Sequence, residues 1–270
     1  PVPMGTGLRR PTSLAELPDG SLLVTEYGKW TGRLGPWYQK ENEWQMKTLA
    51  DRPGALGVVL DTTAVRPTAY VLFGQGREEI VEYVRQTDGN WQSRVLLSFP
   101  PSYGSSSLQL TDWNGDGQPD LLYTNGDNAD YVSSVKAYHG IRVFVREDAS
   151  FSEALFLPLP GAYGARVADF DADGDLDVAA ISFFPDYRQT KPGGIVLYAQ
   201  DPAGTFTAHP LADADRGRWL TLHSGDLDGD GDLDLVAGNL ALEPVPDGGR
   251  LARWIKEGLP FLVWKNQLYQ

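Results

Sequence analysis

The sequence contains no cysteine, and this absence excludes several kinds of site. Without thiols there is no disulfide framework, no thiolate zinc site and no cysteine nucleophile. Histidine is scarce as well: the three copies are His139, His209 and His223, and none belongs to a zinc-protease motif. Walker and nucleophile-elbow motifs are also missing. The sequence therefore gives little support to catalysis through the common nucleophiles or through soft metal ligands.

Long apolar runs and a leader segment are missing too. The chain has no run of about 18 apolar residues, the length that a membrane-spanning helix needs. No charged segment followed by an apolar one marks a leader. The chain begins Pro1-Val2-Pro3 without an initiator methionine, so we expect a processed or cropped N-terminus. Direct membrane insertion is not expected.

The charge balance is strongly acidic, with a formal net charge of −13. Nucleic acids and anionic lipid surfaces are poor partners for such a chain, because phosphate binding needs a concentrated basic patch. The 30 glycines and 19 prolines are spread along the whole length. This distribution favours many short elements joined by tight turns over long helices. The 270 residues supply enough apolar material for one large all-β domain or two small domains.

Much of the acid lies in an internal repeat of nine residues. The copies are DWNGDGQPD at 112–120, DFDADGDLD at 169–177 and DLDGDGDLD at 226–234, and their first residues are 57 positions apart in both intervals. A short alternating run precedes each copy and an apolar run follows it, as in two strands joined by a hairpin. We call these segments the first, second and third aspartate loops.

Each aspartate loop is predicted to join strands one and two of a four-stranded antiparallel blade. Four short strands in a repeating period are typical of a β-propeller, so the fold class is predicted to be all-β. Two degenerate copies lie upstream, which gives five blades in one domain over 1–270, at about 10–52, 53–102, 103–162, 163–217 and 218–270. The last blade lacks a fourth strand, which residues 1–9 could supply. Blades missing upstream would instead raise the total to six or seven.

The aspartate loops are predicted to bind calcium. In the second and third loops, five carboxylates within nine residues repel one another, and a divalent cation held by oxygen ligands would relieve that repulsion. We expect side-chain ligands at loop positions 1, 3, 5 and 9, a backbone carbonyl at position 7, and a permissive glycine at position 6. Three ions would change the net charge from −13 to −7. The predicted metal residues are Asp112, Asn114, Asp116, Gln118, Asp120, Asp169, Asp171, Asp173, Asp175, Asp177, Asp226, Asp228, Asp230, Asp232 and Asp234.

Two alternatives to this calcium site were weighed. An EF-hand shares positions 1, 3, 5 and 6 but needs a bidentate glutamate at position 12 and helices on both sides. Position 12 here is Tyr123, Ala180 or Ala237, already within a strand, so the EF-hand is excluded. Solvated Asp-Gly turns that hold no ion remain the alternative.

The segments DFDADGDLDV and DLDGDGDLDLVAGN, at 169–178 and 226–239, resemble FG-GAP/VCBS repeats. These repeats form the propellers of integrin α-subunits and of many bacterial surface proteins. The strong resemblance covers roughly 104–240 and implies calcium in the loop between strands one and two. Asn114 is a conservative departure, and the first two blades depart fully, so no metal is expected there. The repeat occurs in adhesins, lectin-like proteins, enzymes and scaffolds, and it does not specify an activity.

The connections between strands two and three are long and are expected on the face opposite the aspartate loops. The last of them contains a predicted short helix over 251–257. Aromatic side chains mixed with Asp, Asn and Arg would suit a sugar or a protein surface. The candidate contact residues are Trp30, Asp127, Asn128, Asp130, Tyr131, Phe184, Tyr187 and Arg188. Alternatively, these connections only pack on one another.

Polar residues recur at one more equivalent point, three positions before each aspartate loop. They are Gln109, Arg166 and His223, and strand one is the innermost strand of a propeller blade. These residues either line a central channel or form a hydrogen-bonded belt in the core, and we favour the belt.

The leading functional interpretation is a calcium-stabilised module that binds another protein in an extracytoplasmic assembly, whether secreted, periplasmic or attached to the cell surface. Calcium at the micromolar to millimolar levels that open loops need is available there. A carbohydrate-binding, lectin-like module is the second hypothesis. A glycan-active enzyme, or the non-catalytic part of one, is the third. A glycosidase or lyase would need two free acids, for which Asp127, Asp130 and Asp186 are the candidates.

Overall fold

The computed structural model describes residues 7–127, 134–188, 194–242 and 249–267. Within these ranges the chain is almost entirely β-structure, with one α-helix and one short 3-10 turn. The strands form five small antiparallel sheets, the blades of a five-bladed β-propeller, which confirms the predicted fold class. Strand order in every sheet follows chain order, so each blade is a simple meander of neighbouring hairpins. None of the described helices is long and apolar enough to cross a membrane.

The strands fall into blades as follows. Blade one contains β1 (Pro11–Glu16), β2 (Leu22–Glu26), β3 (Arg33–Lys40) and β4 (Glu43–Met46). Blade two contains β5 (Ala55–Asp61), β6 (Thr68–Phe73), β7 (Glu78–Arg85) and β8 (Trp91–Phe99). Blade three contains β9 (Ser105–Thr111), β10 (Asp120–Asn125), β11 (Gly140–Glu147) and β12 (Ser150–Pro158). Blade four contains β13 (Ala162–Ala168), β14 (Asp177–Ser182), β15 (Ile195–Gln200) and β16 (Phe206–Pro210). Blade five contains β17 (Trp219–Gly225), β18 (Asp234–Asn239), α1 (Arg250–Glu257) and β19 (Phe261–Trp264).

The chain divides into two compact units, Pro1–Leu121 with Phe144–Glu153 and Leu122–Val143 with Ala154–Gln270. In the first unit β5 packs against β1 and β9, and its core includes the fully buried Leu23, Val71 and Phe73. In the second unit β13 packs against β17, around a core that includes Ile181 and Trp219. Within each unit, the first strands of consecutive blades are therefore neighbours.

The second strand of a blade is its most buried element. Every residue of β6, β10 and β14 is buried, whereas β4 and β12 keep several exposed positions. A strand covered on both faces has to be apolar at successive positions, and this produces the short continuous apolar runs that follow the aspartate loops in the sequence. Burial on both faces therefore makes the second strands recognisable in the sequence.

Most predicted elements are confirmed, and the differences lie at the ends. The strand predictions overlap the observed strands throughout, and the helix predicted over 251–257 is α1. The fourth strand of blade five is different. The backbone N–H of Arg9 donates to Glu26 and its guanidinium donates to the Thr31 carbonyl, so residues 7–9 lie on blade one and form no strand. Residues 1–6 are outside the described ranges, and the described part of blade five has three strands.

Candidate functional site

In each aspartate loop, the side chain at position 1 holds the loop in a tight turn. One carboxylate oxygen of Asp112, Asp169 and Asp226 accepts the backbone N–H of the glycine at position 6, at 3.1, 3.0 and 3.2 Å. Position 5 likewise accepts the N–H of position 7 in all three loops. The position-6 glycines have φ of +79°, +97° and +96°, a backbone conformation that glycine adopts without steric cost. The wrapped loop predicted from the glycine pattern is thus present.

The aspartate at position 9 is a buried anchor. Asp120, Asp177 and Asp234 are 0% exposed. In each, Oδ2 accepts the N–H of loop position 2, at 2.9, 2.9 and 3.0 Å. In each, Oδ1 accepts an N–H at the end of the blade's third strand, at 2.8, 2.9 and 2.8 Å. The residues that donate to Oδ1 are Arg146, Gln200 and Asn266. One carboxylate therefore ties the loop, the second strand and the third strand together.

Two of the loops bring three carboxylates close enough to share one cation. Oxygens of Asp169, Asp171 and Asp177 lie within 4.8 Å of one another, and the same holds for the matching positions 226, 228 and 234. In the described residues the first loop forms no such group of three acidic side chains, and its position 3 is Asn114. Donor sets made only of oxygen suit calcium and other hard cations.

One carboxylate in each of these two loops, Asp171 and Asp230, has a raised pKa. Burial raises the pKa of Asp171, and the neighbouring charge of Asp177 raises it further. For Asp230, the hydrogen bond from the Asp232 N–H lowers the pKa, but burial and the Asp228 and Asp232 carboxylates raise it overall. Oδ2 of Asp230 is shielded from solvent and has no hydrogen-bond partner in the part of the chain that the structure describes. The loops thus contain carboxylate oxygens whose negative charge the protein alone does not fully balance.

The third loop differs from the second in having a lysine bonded to it. Nζ of Lys265 lies 2.9 Å from Oδ2 of Asp228, at loop position 3. This hydrogen bond raises the pKa of Lys265 and lowers the pKa of Asp228. Gln200 and Asn266 make equivalent bonds to their position-9 carboxylates, so the position that matches Lys265 in blade four is Ala199.

The matching turns of the first two blades are closed by hydrogen bonds. Asp19 accepts both the N–H and the hydroxyl of Ser21, and its other oxygen lies 2.5 Å from the Arg85 guanidinium. The Ser21 hydroxyl, followed by Arg85, lowers the pKa of Asp19 to about 2. Asp61 accepts the N–H groups of Thr63 and Ala64 at 2.8 and 3.0 Å. Blade one therefore uses an arginine as the counter-ion of its turn.

The described contact candidates between strands two and three differ widely in exposure. Trp30 is 76% exposed. Phe184 was expected to offer a surface contact as well, but it is only 3% exposed, so that expectation is wrong. Tyr187 is half-buried, with the Arg250 guanidinium 5.6 Å from its ring. Arg188 is exposed and pairs with Asp186.

The remaining candidates of this group include the three acids proposed for catalysis. Asp127 is half-buried and has interactions of its own. Asn128, Asp130 and Tyr131 lie outside the described residues. Asp186 is bound to an arginine, as described above. The two described acids of this set therefore both have partners.

Phe184 is buried because of Arg218, which the sequence analysis missed. The Arg218 guanidinium lies 3.8 Å from the Phe183 ring centroid and 4.6 Å from that of Phe184. It donates to the carbonyls of Phe183 and Leu242 at 2.8 and 2.7 Å, and the residue is only 1% exposed. No signal in the sequence separates Arg218 from the surface arginine two positions earlier, because its partners are distant along the chain.

Two asparagines that follow the second strands were also missed. Nδ2 of Asn125 donates to the Tyr138 carbonyl, and Nδ2 of Asn239 donates to the Leu259 carbonyl, at 3.1 and 2.7 Å. Both acceptors lie two residues before the third strand of their blade. The repeat itself contained the signal, since an asparagine ends both LLYTN and LVAGN. These bonds attach both ends of the connection to the same blade, next to its third strand.

The polar positions before the aspartate loops form hydrogen bonds. Nη2 of Arg166 lies 3.3 Å from Nδ1 of His223, and Nη1 donates to the Ala165 carbonyl. Burial lowers the pKa of Arg166. Arg166 and His223 thus contact each other, but His223 is exposed, so this contact is not the core belt that was expected. Gln109 in the first unit has partners of its own.

Two clefts in the first unit were not predicted. They have volumes of about 350 and 320 Å³, and Leu60 and Asp61 border both. Glu16 and the fully exposed Val65 line the first cleft, and Asp112 lines the second. Residues of the connections between strands one and two line both clefts, and the second cleft includes residues of the first aspartate loop. In both clefts, acidic side chains therefore lie next to apolar ones.

No family model and no curated protein matches the chain. Solved structures do match. A protein from Lactobacillus plantarum is 18% identical with a TM-score of 0.52, over 84% of this chain and 63% of that one. A Bombyx mori GH32 beta-fructofuranosidase is 12% identical with a TM-score of 0.39, over 83% and 54%. A GH43_1 enzyme from Xanthomonas citri, complexed with xylotriose, is 12% identical with a TM-score of 0.42, over 93% and 85%. This chain spans less than two thirds of the first two proteins, and the similarity concerns the fold alone.

Proposed function

We propose that this chain is a calcium-binding propeller of the FG-GAP/VCBS type that acts outside the cytoplasm as a protein-interaction or scaffold module. The observation that carries the proposal is the pair of three-carboxylate groups, in which oxygens of loop positions 1, 3 and 9 lie within 4.8 Å of one another. Exposed acidic groups are also common without an ion, so the shielded Oδ2 of Asp230 is the supporting detail.

Calcium would be held by the side chains at positions 1, 3, 5 and 9 and by the carbonyl at position 7. When bound, it supplies positive charge that neutralises the clustered carboxylates. Position 9 would connect the ion to the third strand, because its carboxylate already accepts N–H groups from two elements of the blade. The first loop would take the third ion with Asn114 in place of one carboxylate. Binding would therefore stiffen the hairpins that carry the loops.

The recognition part of the proposal is supported by the two clefts of the first unit. Their acidic and apolar linings suit a protein segment that presents a basic group next to an apolar one. An extracytoplasmic location is proposed because calcium is plentiful there. Carbohydrate binding is the second candidate, favoured by the exposed ring of Trp30. A glycan array together with a protein pull-down separates the two candidates.

Thermal unfolding with and without a chelator tests the calcium. At a free calcium concentration 100 times the dissociation constant, each site adds about 2.7 kcal/mol to the unfolding free energy. Two occupied sites would raise the midpoint by about 10 °C in a chain of this size. The control is the double variant Asp171→Ala with Asp228→Ala, which removes the position-3 ligand oxygen from both loops and should lose most of this difference. Equal midpoints for the unmodified protein in calcium and in chelator would contradict the proposal.

A further inference from the structure

The third aspartate loop already contains a cation supplied by the protein. Nζ of Lys265 donates to Oδ2 of Asp228 at 2.9 Å, immediately after β19 ends. Asp228 is one of the three carboxylates of the cluster, so the ammonium is bonded to a side chain that an ion would use. The side chains of Lys265 and Asp228 are 56% and 22% exposed, and an ion pair in this environment is weak enough to be exchanged.

The second loop offers a matched comparison. Its sequence differs from that of the third loop at only two of nine positions, Phe170 for Leu227 and Ala172 for Gly229. All five aspartates are shared. The position that corresponds to Lys265 is Ala199, which has no charge. The two loops therefore differ in charge mainly through one lysine.

Blade one shows that this chain uses side-chain cations at such turns. There Arg85 lies 2.5 Å from Asp19, in a turn that lacks the other acids. Both cations come from the end of a third strand, but Arg85 ends β7 of blade two, whereas Lys265 follows β19 in the same blade as its loop. The third loop, with a lysine bonded to one of its aspartates, is thus intermediate between two cases. One is the blade-one turn, whose aspartate is balanced by an arginine, and the other is the second loop, which has no such cation.

We propose, on the basis of the calcium binding proposed above, that Lys265 is an internal competitor that makes the third loop bind calcium more weakly than the second. Calcium binding at the third loop has to displace the ammonium from Asp228 or tolerate its positive charge close by. At the second loop, calcium binding has no lysine ammonium to displace or tolerate. The two loops then fill in sequence as calcium rises, and the third responds at the higher concentration.

The test uses full-length variants in which a single acid-rich loop remains. Asp116→Ala with Asp173→Ala leaves the third loop, and Asp116→Ala with Asp230→Ala leaves the second. Calcium affinity is measured in each background by isothermal titration calorimetry, and folding is checked by circular dichroism. Lys265→Gln should tighten binding to the third loop about two- to fivefold, the effect of freeing one exposed carboxylate from an ion pair. Ala199→Lys should weaken binding to the second loop by a similar factor.

Lys265→Arg serves as the control, because it keeps the charge and should leave the affinity of the third loop low. An unchanged affinity after Lys265→Gln would overturn the role of the lysine while leaving calcium binding itself intact. Binding to the third loop that is as tight as binding to the second before any change at position 265 would also overturn it. If neither background binds calcium, the proposed function and this inference both fall.

Discussion

The buried aspartate at position 9 should stabilise its blade even when no calcium is bound. In blade four, Asp177 accepts the N–H of Phe170 and the N–H of Gln200, both at 2.9 Å. Asp177→Ala leaves both N–H groups without their acceptor. A hydrogen bond to a charged group contributes about 1.5–3 kcal/mol, so the loss of two should cost about 3–5 kcal/mol of unfolding free energy.

The comparison variant is Asp173→Ala in the same loop. Asp173 is exposed and accepts the N–H of Asp175 at 2.9 Å, a bond that water replaces at little cost. Urea unfolding followed by tryptophan fluorescence in chelator should therefore show a large loss for Asp177→Ala and a loss below about 1 kcal/mol for Asp173→Ala. In calcium, both variants should also lose the stabilisation that comes from the ion.

The chelator measurement decides between the two roles of position 9. If Asp177→Ala and Asp173→Ala are equally stable in chelator, the buried carboxylate does not hold the strands together and the anchoring role is refuted. Asp177→Asn is an intermediate variant. Its amide oxygen can accept one of the two N–H groups, whereas its NH₂ group cannot accept the other. It should fall between the unmodified protein and the alanine variant.

Two further predictions concern buried basic side chains of the second unit. Burial, followed by the charges of Lys136 and Arg142, lowers the pKa of His139 to about 4 from 6.5, so the unfolded chain takes up a proton first as the pH falls. Stability should drop by about 2–3 kcal/mol between pH 6.5 and 4 and stay flat above that range, and His139→Gln should remove this share of the slope in urea titrations in chelator. Arg218→Met should cost about 2–4 kcal/mol through its lost carbonyl hydrogen bonds, whereas Arg188→Met on the surface should be nearly neutral in the same assay.

The fold could be predicted because its signals are local. Each aspartate loop stands between two runs of strand-forming residues, and the equal spacing of 57 residues marks the repeat. The apolar second strands follow from burial on both faces, a property visible in four to six consecutive residues. The fourth strand expected from residues 1–9 had no such signal. It was inferred from the idea of ring closure, and residues 7–9 instead bond to Glu26 and Arg33 of blade one.

The site could be predicted only in part, because contacts distant in sequence decide the rest. The acidic pattern identified the loops but gave positions 1 and 9 the same role. The structure separates them, since Asp177 is buried by its bond to Gln200, 23 residues away, while Asp169 stays half-exposed. Phe184 was expected on a surface because it lies in a polar loop. Arg218 lies against its ring from 34 residues away, and no local pattern reports that contact.

These differences indicate that the positions of one aspartate loop have separate roles. Position 9 builds the hairpin from hydrogen bonds alone, whereas positions 1, 3 and 5 remain partly exposed and collect negative charge. Blade one balances its turn with Arg85, blade five adds Lys265 to an acidic loop, and blade four has no comparable lysine. A blade hairpin can therefore form without an ion, and a bound ion would then act on the stiffness of a hairpin that already exists. On this reasoning, calcium removal should soften blades four and five more than blade one, which hydrogen exchange of β14, β18 and β2 would show directly.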